Sequence, residues 1–309
     1  MVKQAVAAGI DIGGTNTVFG LVDEEGKLLK RDSVPTKSFT EANELVDFVS
    51  DKLHKLLSPE QELMGIGVGA PNGNFYKGTI EFAPNLKWKG VVPLAELFEK
   101  KTNCKVVITN DANAAAMGEL LFGAAKGMKN FLFITLGTGL GSGIVVNGEV
   151  VYGHDGFAGE LGHVIMLQDG RACGCGRKGC LETYCSATGI VTTYRSFFSD
   201  NSSAETDSIN AQLIFEKAMQ GEKAALQSFE YTAEILGWAL ANSVAYTSPE
   251  AIFLFGGLAL AGDVLFEPVR QSFEKNLMTV YQNKIKILPS ALSENSAAIL
   301  GAASLIWKK

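Results

Sequence analysis

A chain of 309 residues exceeds the usual size of one domain, and 47% hydrophobic with 19% charged content suits a globular protein with an ample core. The net charge of −6 argues against a general nucleic-acid binder, which needs a basic surface to displace counterions. No stretch reads as a membrane span or a signal peptide, so a cytoplasmic setting is expected, with the five cysteines as thiols or metal ligands instead of disulfides.

In chain order, "AVAAGIDIGG" reads as a buried strand ending in a glycine turn, "TVFGLVD" as a second strand, "EEGK" as a hairpin and "LLKRDSV" as a third strand. Between Thr40 and Leu57, apolar residues at helical spacing (Leu45, Val46, Val49, Leu53, Leu56) predict a helix. "LMGIGVGAP" is another buried strand. "VVPLAELFEKKT" predicts a helix with Pro93 in its first turn, "KVVITND" a strand, and "DANAAAMGELLFG" a helix closed by Gly123.

The opening pattern then returns in "NFLFITLGTGLGSGIVVNGEVV": strand, glycine turn, strand, Asn147-Gly148 hairpin, strand. Laid over the first copy, Gly13 matches Gly137, Gly14 matches Thr138, and Asp11 matches Thr135. This reads as a duplicated ββ unit that keeps an acid only in the first copy. Further on come the polar stretch "SDNSSAETDS", read as a surface loop, and a long amphipathic helix from Ala225 to Ser248. The strand "AIFLFGGLA", the helix "VLFEPVRQSFEKNLM", the strand "KIKILPS" and a closing helix follow. Strands alternating with helices give an α/β class, with a crevice between lobes as the natural ligand site.

Three glycine turns ("DIGGTN", "LGTGLGSG", "FGGLA") each follow a strand. Glycine permits positive φ and close backbone approach, and exposed amides in such turns hold phosphate oxygens. Any one of them alone could be a plain tight turn. No P-loop motif is present, and "GTGLGSG" runs into a strand and hairpin, not a helix, which rules out a dinucleotide fingerprint.

Duplicated ββ units with two such loops and a third glycine pair resemble the sugar kinase, heat-shock chaperone and actin superfamily. The resemblance implies a two-lobed actin-like ATPase fold with ATP between the lobes. It implies Gly13, Gly14, Thr15 and Asn16 as the first phosphate loop, Thr138 and Gly139 as the second, and Gly256 and Gly257 against the adenosine. Asp11 would act near Mg²⁺ through water, since Mg²⁺ keeps several waters. The implied lobes are residues 1–112, joined by a C-terminal helix over 293–309, and residues 113–292, carrying a zinc-binding loop.

"VVITNDANAAA" puts Asn110 and Asp111 where a strand ends and a helix begins. Asp at such a position is commonly a cap. At the edge of a nucleotide cleft it is also where phosphoryl transfer to an alcohol wants a carboxylate to orient the hydroxyl and accept its proton.

"ACGCGRKGCLE" crowds Cys173, Cys175 and Cys180 into one glycine-rich basic stretch, and "GELGH" brings His163. Three thiols and an imidazole are a standard tetrahedral Zn²⁺ set. A core cluster fits poorly with Arg177, Lys178 and the neighbouring glycines, which read as loop, and C-x-C is not the usual redox spacing. Cys104 and Cys185 read as buried thiols. Glu160 and Glu182 flank the set. Each could be a surface charge, yet two carboxylates and an imidazole at a crevice suit a polyhydroxylated ligand.

Together "DIGGTN", "GELGH", "CGCGRKGCLE" and the duplicated loops are similar to the ROK family (repressors, open reading frames and sugar kinases) over Ala5 to Trp307. The resemblance implies structural Zn²⁺ on His163, Cys173, Cys175 and Cys180. It implies sugar contacts from Asn110, Asp111, Glu160, His163 and Glu182, with Asp111 as base, and from Asn85 in "APNLKW". It departs at Asn72, where members usually carry glycine after Ala-Pro. The implied activity is ATP-dependent phosphorylation of a hexose at the 6-hydroxyl, glucose foremost, by a homodimer that binds neither nucleic acid nor membrane. The family's regulator branch carries an N-terminal helix-turn-helix domain, for which the first strand at Ala5 leaves no room.

Overall fold

The computed structural model describes residues 3–198 and 209–308. In chain order it contains β1 (Gln4–Ile12), β2 (Asn16–Val22), β3 (Leu28–Pro35), α1 (Ala42–Leu56), β4 (Gln61–Gly69), β5 (Gly73–Asn74), β6 (Thr79–Glu81) and β7 (Val91–Val92). Next come α2 (Leu94–Thr102), β8 (Val106–Thr109), α3 (Asp111–Phe122), β9 (Phe131–Leu136), β10 (Leu140–Val146), β11 (Glu149–Val150), α4 (Glu182–Cys185) and α5 (Ala187–Arg195). The chain finishes with α6 (Ala211–Met219), α7 (Lys223–Thr247), β12 (Ala251–Phe255), α8 (Asp263–Asn276), β13 (Lys286–Pro289) and α9 (Ala297–Trp307). The stretch "SDNSSAETDS" lies outside the described residues.

The chain forms two compact units, one of residues 1–128, 148–158 and 291–309, the other of residues 129–147 and 159–290. In the first, the sheet order is β3-β2-β1-β4-β8, with β1 antiparallel to β2 and parallel to β4, and β4 parallel to β8. β1 is buried from Val6 to Ile10, as expected for a central strand covered on both faces. α9 packs directly on it. A Cβ at Gly9 would strike the Ile299 carbonyl, and one at Gly67 the Ala302 carbonyl, so these glycines set the depth to which the helix settles. α3 packs on α9 where Gly118 meets Gly301, which holds α3 in this unit. α1 contributes Leu45, Val46, Val49 and Leu53 to a core with Phe19, Leu21 and Ile66.

One expected element differs. The helix predicted from Val91 begins at Leu94, because Val91 and Val92 pair with Glu81 and Ile80 in a small sheet, β5-β6-β7, and Pro93 ends that strand. β-branched residues favour this pleated pairing over a helix start.

In the second unit, β10-β9-β12-β13 repeats the pairing of β2-β1-β4-β8: antiparallel, parallel, parallel. Asp11 is the penultimate residue of β1, and Thr135 holds the same place in β9. The duplication read from the glycine turns therefore extends to whole-sheet topology. α7 and α8 pack over this sheet, with Phe229, Leu236, Leu240, Leu265 and Phe273 in the core. The class is α/β, as expected. Among the described residues, no helix is long and apolar enough to cross a membrane.

Candidate active site and metal centre

In the first unit, sheet register gathers the acids. Asp11 pairs with Gly69 across β1 and β4, and Gly69 with Thr109 across β4 and β8. A Cβ on Gly69 would lie 3.5 Å from Asp11 Oδ1 and 3.6 Å from Asp111 Cα, so the two acids flank this glycine. Burial, reinforced by the nearby Asp111 charge, pushes the Asp11 carboxyl up to about 7. The Asp111 side chain reaches solvent, yet the protein packed around it desolvates it and raises its pKa above the usual 3.8. Hydrogen bonds from backbone amides, including Ala112 N–H at 3.0 Å, oppose that rise. A second negative charge here is therefore costly, and a cation or a proton is welcome.

Asn110, not Asp111, caps α3: its side-chain oxygen accepts from Asn113 N–H at 2.7 Å. The first glycine turn is closed by Gly13 N–H donating to Asn16 O at 2.9 Å, and Thr36 N–H donates to Thr15 O at 2.8 Å. Asn85 lies against this turn. A Cβ at Gly14 would sit 2.9 Å from the Asn85 backbone oxygen and side chain, so only glycine lets the two segments meet. At the departure from the family pattern, Asn72 takes φ 51, a left-handed conformation that glycine adopts freely and Asn tolerates. Its amide donates to Glu81 O at 2.9 Å, a bond that glycine could not make.

In the second unit, Thr138 and Gly139 occupy the β9–β10 turn, closed by Gly137 N–H donating to Gly139 O at 3.0 Å. Three contacts from the chain that follows Cys180 hold this turn. Leu140 N–H donates to Glu182 Oε2 at 2.9 Å, Ala187 N–H to Gly137 O at 2.8 Å, and Thr188 Oγ1 to Thr138 O at 2.9 Å. Glu182, expected only as a sugar contact, thus also braces a glycine turn. Leu140 and Thr188 were not foreseen in this role. Gly256 (φ 100) ends β12, where a Cβ would lie 2.8 Å from Leu136 O; Gly257 follows with open space around it. Ser142 was also missed: its hydroxyl donates to Gly159 O and accepts from Leu161 N–H at 3.2 Å, fixing the segment that carries Glu160.

His163, Cys173, Cys175 and Cys180 present ligand atoms all within 4.8 Å of one another. His163 Nδ1 lies 3.6 Å from Cys173 Sγ, and Cys175 and Cys180 sulfurs are 3.6 Å apart. Tetrahedral Zn²⁺ with bonds of about 2.3 Å to sulfur spaces its ligands at roughly this distance, so donor chemistry and geometry both fit a structural zinc site. His163 Nε2 faces Glu160 at 4.0 Å, leaving Nδ1 for the cluster. Arg177, read from sequence as a solvated loop charge, donates to His163 O at 2.8 Å and lowers the Cys175 thiol to about 6. Burial and the neighbouring thiols push Cys180 up to about 12. Arg171 anchors the loop through bonds to Thr183 O (2.8 Å), Gly189 O (3.1 Å) and Thr193 Oγ1 (2.9 Å). Cys185 is buried as expected, whereas Cys104 is half-buried.

The ROK family model matches residues 7–309. The chain belongs to the ROK family. It is 36% identical to a glucokinase of Streptomyces coelicolor, over 98% of both chains, and 34% identical to a glucokinase of Thermotoga maritima, over 97% of both. Among solved structures it resembles a ROK family glucokinase from Streptomyces griseus in complex with glucose and AMPPNP. The TM-score is 0.81 at 34% identity, covering 97% of this chain and 98% of that one.

Proposed function

We propose that the protein is an ATP-dependent hexose kinase that phosphorylates the 6-hydroxyl, with glucose as the leading substrate. The carrying observation is the acid pair at the ends of β1 and α3: Asn110 caps the helix, and Asp111 keeps a carboxylate of raised pKa beside Asp11. A base works best when its pKa approaches the operating pH. The glucokinases at 34–36% identity support the same reading.

In this reading Asp111 orients the attacking hydroxyl and accepts its proton. Asn85, Asn110, Glu160, His163 and Glu182 bind the other hydroxyls. Amides of Gly13, Gly14, Thr15, Asn16, Thr138 and Gly139 hold phosphate oxygens, and Gly256 and Gly257 lie against the adenosine. Asp11 would hold Mg²⁺ through water, and that ion supplies charge neutralisation on the phosphates. Zn²⁺ on His163, Cys173, Cys175 and Cys180 supplies rigidity to the loop bearing the sugar ligands. The protein acts as a cytoplasmic homodimer of two-lobed chains, the lobes being the unit of residues 1–128, 148–158 and 291–309 and the unit of residues 129–147 and 159–290, so the boundary expected at residue 112 moves beyond α3.

A coupled assay of ADP release over a panel of glucose, mannose, fructose, allose and N-acetylmannosamine tests this. Sugar-dependent turnover, fastest with glucose, is expected. Sugar binding without turnover would point to a sugar-responsive regulator or a binding scaffold.

A further inference from the structure

Two left-handed residues of the first unit meet: Asn72 with φ 51 and Phe82 with φ 53. Asn tolerates that region, whereas a bulky aromatic residue there is an outlier that its surroundings must hold in place. Packing of the Phe82 ring does not do so, since the residue is 70% exposed. The hold comes from Asn72. Its side-chain amide donates to Glu81 O at 2.9 Å and to Phe82 O at 3.4 Å, and its backbone carbonyl accepts from Glu81 N–H at 3.1 Å. Phe82 N–H donates to Gly90 O at 2.8 Å, so the turn is tied on both sides.

The segments on either side of this clamp lead to the acids and to Asn85. Beside Asn72, Ala70 N–H donates to Thr109 O at 3.0 Å, and a Cβ at Gly73 would strike that same carbonyl, which seats the Asn72 segment on the end of β8. Asn110 and Asp111 follow Thr109 at once. On the other side, the chain runs from Phe82 through Ala83 and Pro84 to Asn85, which rests on Gly14. Asn85 is exposed, so its place is inherited from the turn before it and from that one contact.

We propose that Asn72 is a positioning residue for the hexose: by holding the Phe82 turn on the end of β8, it sets Asn85 at a fixed place relative to Asp111. This role rests on the reading of Asn85 and Asp111 as hexose ligands. Asn72 touches no substrate in it and acts through Asn85. Glycine at this position would keep the left-handed turn and the backbone bond from Glu81, but would release the Glu81 and Phe82 carbonyls. The first glycine turn closes on itself through Gly13 N–H and Asn16 O, so nucleotide binding does not need the clamp.

The test compares Asn72→Gly and Asn72→Asp with wild type, using the full chain. Aspartate keeps the shape of the side chain and replaces its donor with an acceptor. Calorimetry with each sugar of the panel, steady-state kinetics and thermal melts are the readouts. Both variants should fold, and the hexose Kd and KM should rise about five- to tenfold, as for one lost hydrogen bond, while kcat and the ATP KM move less than about twofold. Phe82→Gly gives a second check. Glycine adopts the left-handed region freely, so the turn then needs less holding, and the loss caused by Asn72→Gly should shrink by about half or more in that background. An equal rise in the hexose and ATP KM values, or an Asn72→Gly effect that is the same with and without Phe82→Gly, overturns the positioning role. Wild-type sugar binding with unchanged Kd in both Asn72 variants overturns this role alone. Wild-type protein that binds none of the panel sugars overturns the proposed function, and this role with it.

Discussion

Asn110 accepts a hydrogen bond from Asn113 N–H at 2.7 Å, and so closes the first turn of α3 one residue ahead of Asp111. Two polar residues at one helix start divide the work. The first satisfies the backbone, and the second keeps its carboxylate for a ligand, held by local backbone amides, Ala112 N–H among them. Asp111→Asn should therefore fold normally, since the cap is untouched, while kcat falls by about 10²–10⁴. The acid limb of the wild-type rate profile should lie above pH 3.8, because desolvation raises the Asp111 pKa. Retained turnover in a folded Asp111→Asn protein would remove this residue from the base role.

The Asp11 carboxyl carries a stability prediction with a definite sign. Its folded pKa of about 7 exceeds the ordinary 3.8, so between those values the folded chain keeps a proton that the unfolded chain has released. The contribution from this group is fully present below pH 3.8 and is lost as pH rises through 7. Asp11→Asn removes the penalty. At about pH 8 it should raise stability by up to about 4 kcal/mol, from about 1.4 kcal/mol per unit, and flatten the pH dependence. Thermal melts of both proteins across that range check it. A lower Tm for Asp11→Asn at high pH would contradict the burial argument.

The features that could be read without coordinates are those whose chemistry is local in the chain. The glycine turns, Asn110-Asp111 and the run from Cys173 to Cys180 each sit within a few residues. What could not be read joins distant segments. Leu140 and Glu182 are 42 residues apart, and Thr138 and Thr188 are 50. No composition or period signals that a glutamate near a thiol cluster will brace a turn in another strand. Gly69 was invisible for the same reason: it looks like any strand glycine until sheet register puts it between two acids. The helix misplaced at Val91 shows the limit of short apolar runs, where strand pairing with β6 decides the outcome.

The Cys₃His cluster should bind a single zinc ion per chain, measurable by metal analysis of the native protein. Removing it with a chelator should lower the Tm, because a structural metal binds the folded state far better than the unfolded one. The damage should reach beyond Glu160 and His163, the sugar ligands proposed above. Arg171 links the loop to α5, whose first residues hold the second glycine turn, so nucleotide affinity should fall as well. Native protein without transition metal, or chelation that leaves both affinities intact, would refute this.

Two glycines should resist substitution for distinct reasons. Gly256 combines φ 100 with a neighbouring carbonyl 2.8 Å from any added Cβ, so Gly256→Ala should cost about 1–3 kcal/mol and weaken nucleotide binding. Gly257, with open space around it, should accept alanine with a smaller loss of stability. Denaturant melts of the pair separate backbone strain from a general intolerance of change at the end of β12.

Glu182 allows the sharpest separation of roles, because its Oε2 accepts from Leu140 N–H while the rest of the carboxylate is free for a sugar. Glutamine keeps an oxygen acceptor and loses the charge; alanine loses both. If the residue only contacts hexose, both variants should raise the hexose KM and leave the ATP KM alone. If it also braces the glycine turn, Glu182→Ala should raise the ATP KM by about five- to tenfold, the equivalent of one hydrogen bond of about 1–1.4 kcal/mol, and Glu182→Gln should raise it much less. A Cβ at Gly139 would collide with this same carboxylate, so Gly139→Ala should imitate the alanine variant by pushing the side chain off the turn. Equal ATP KM values across wild type, Glu182→Gln and Glu182→Ala would reduce the Leu140 bond to a passive contact.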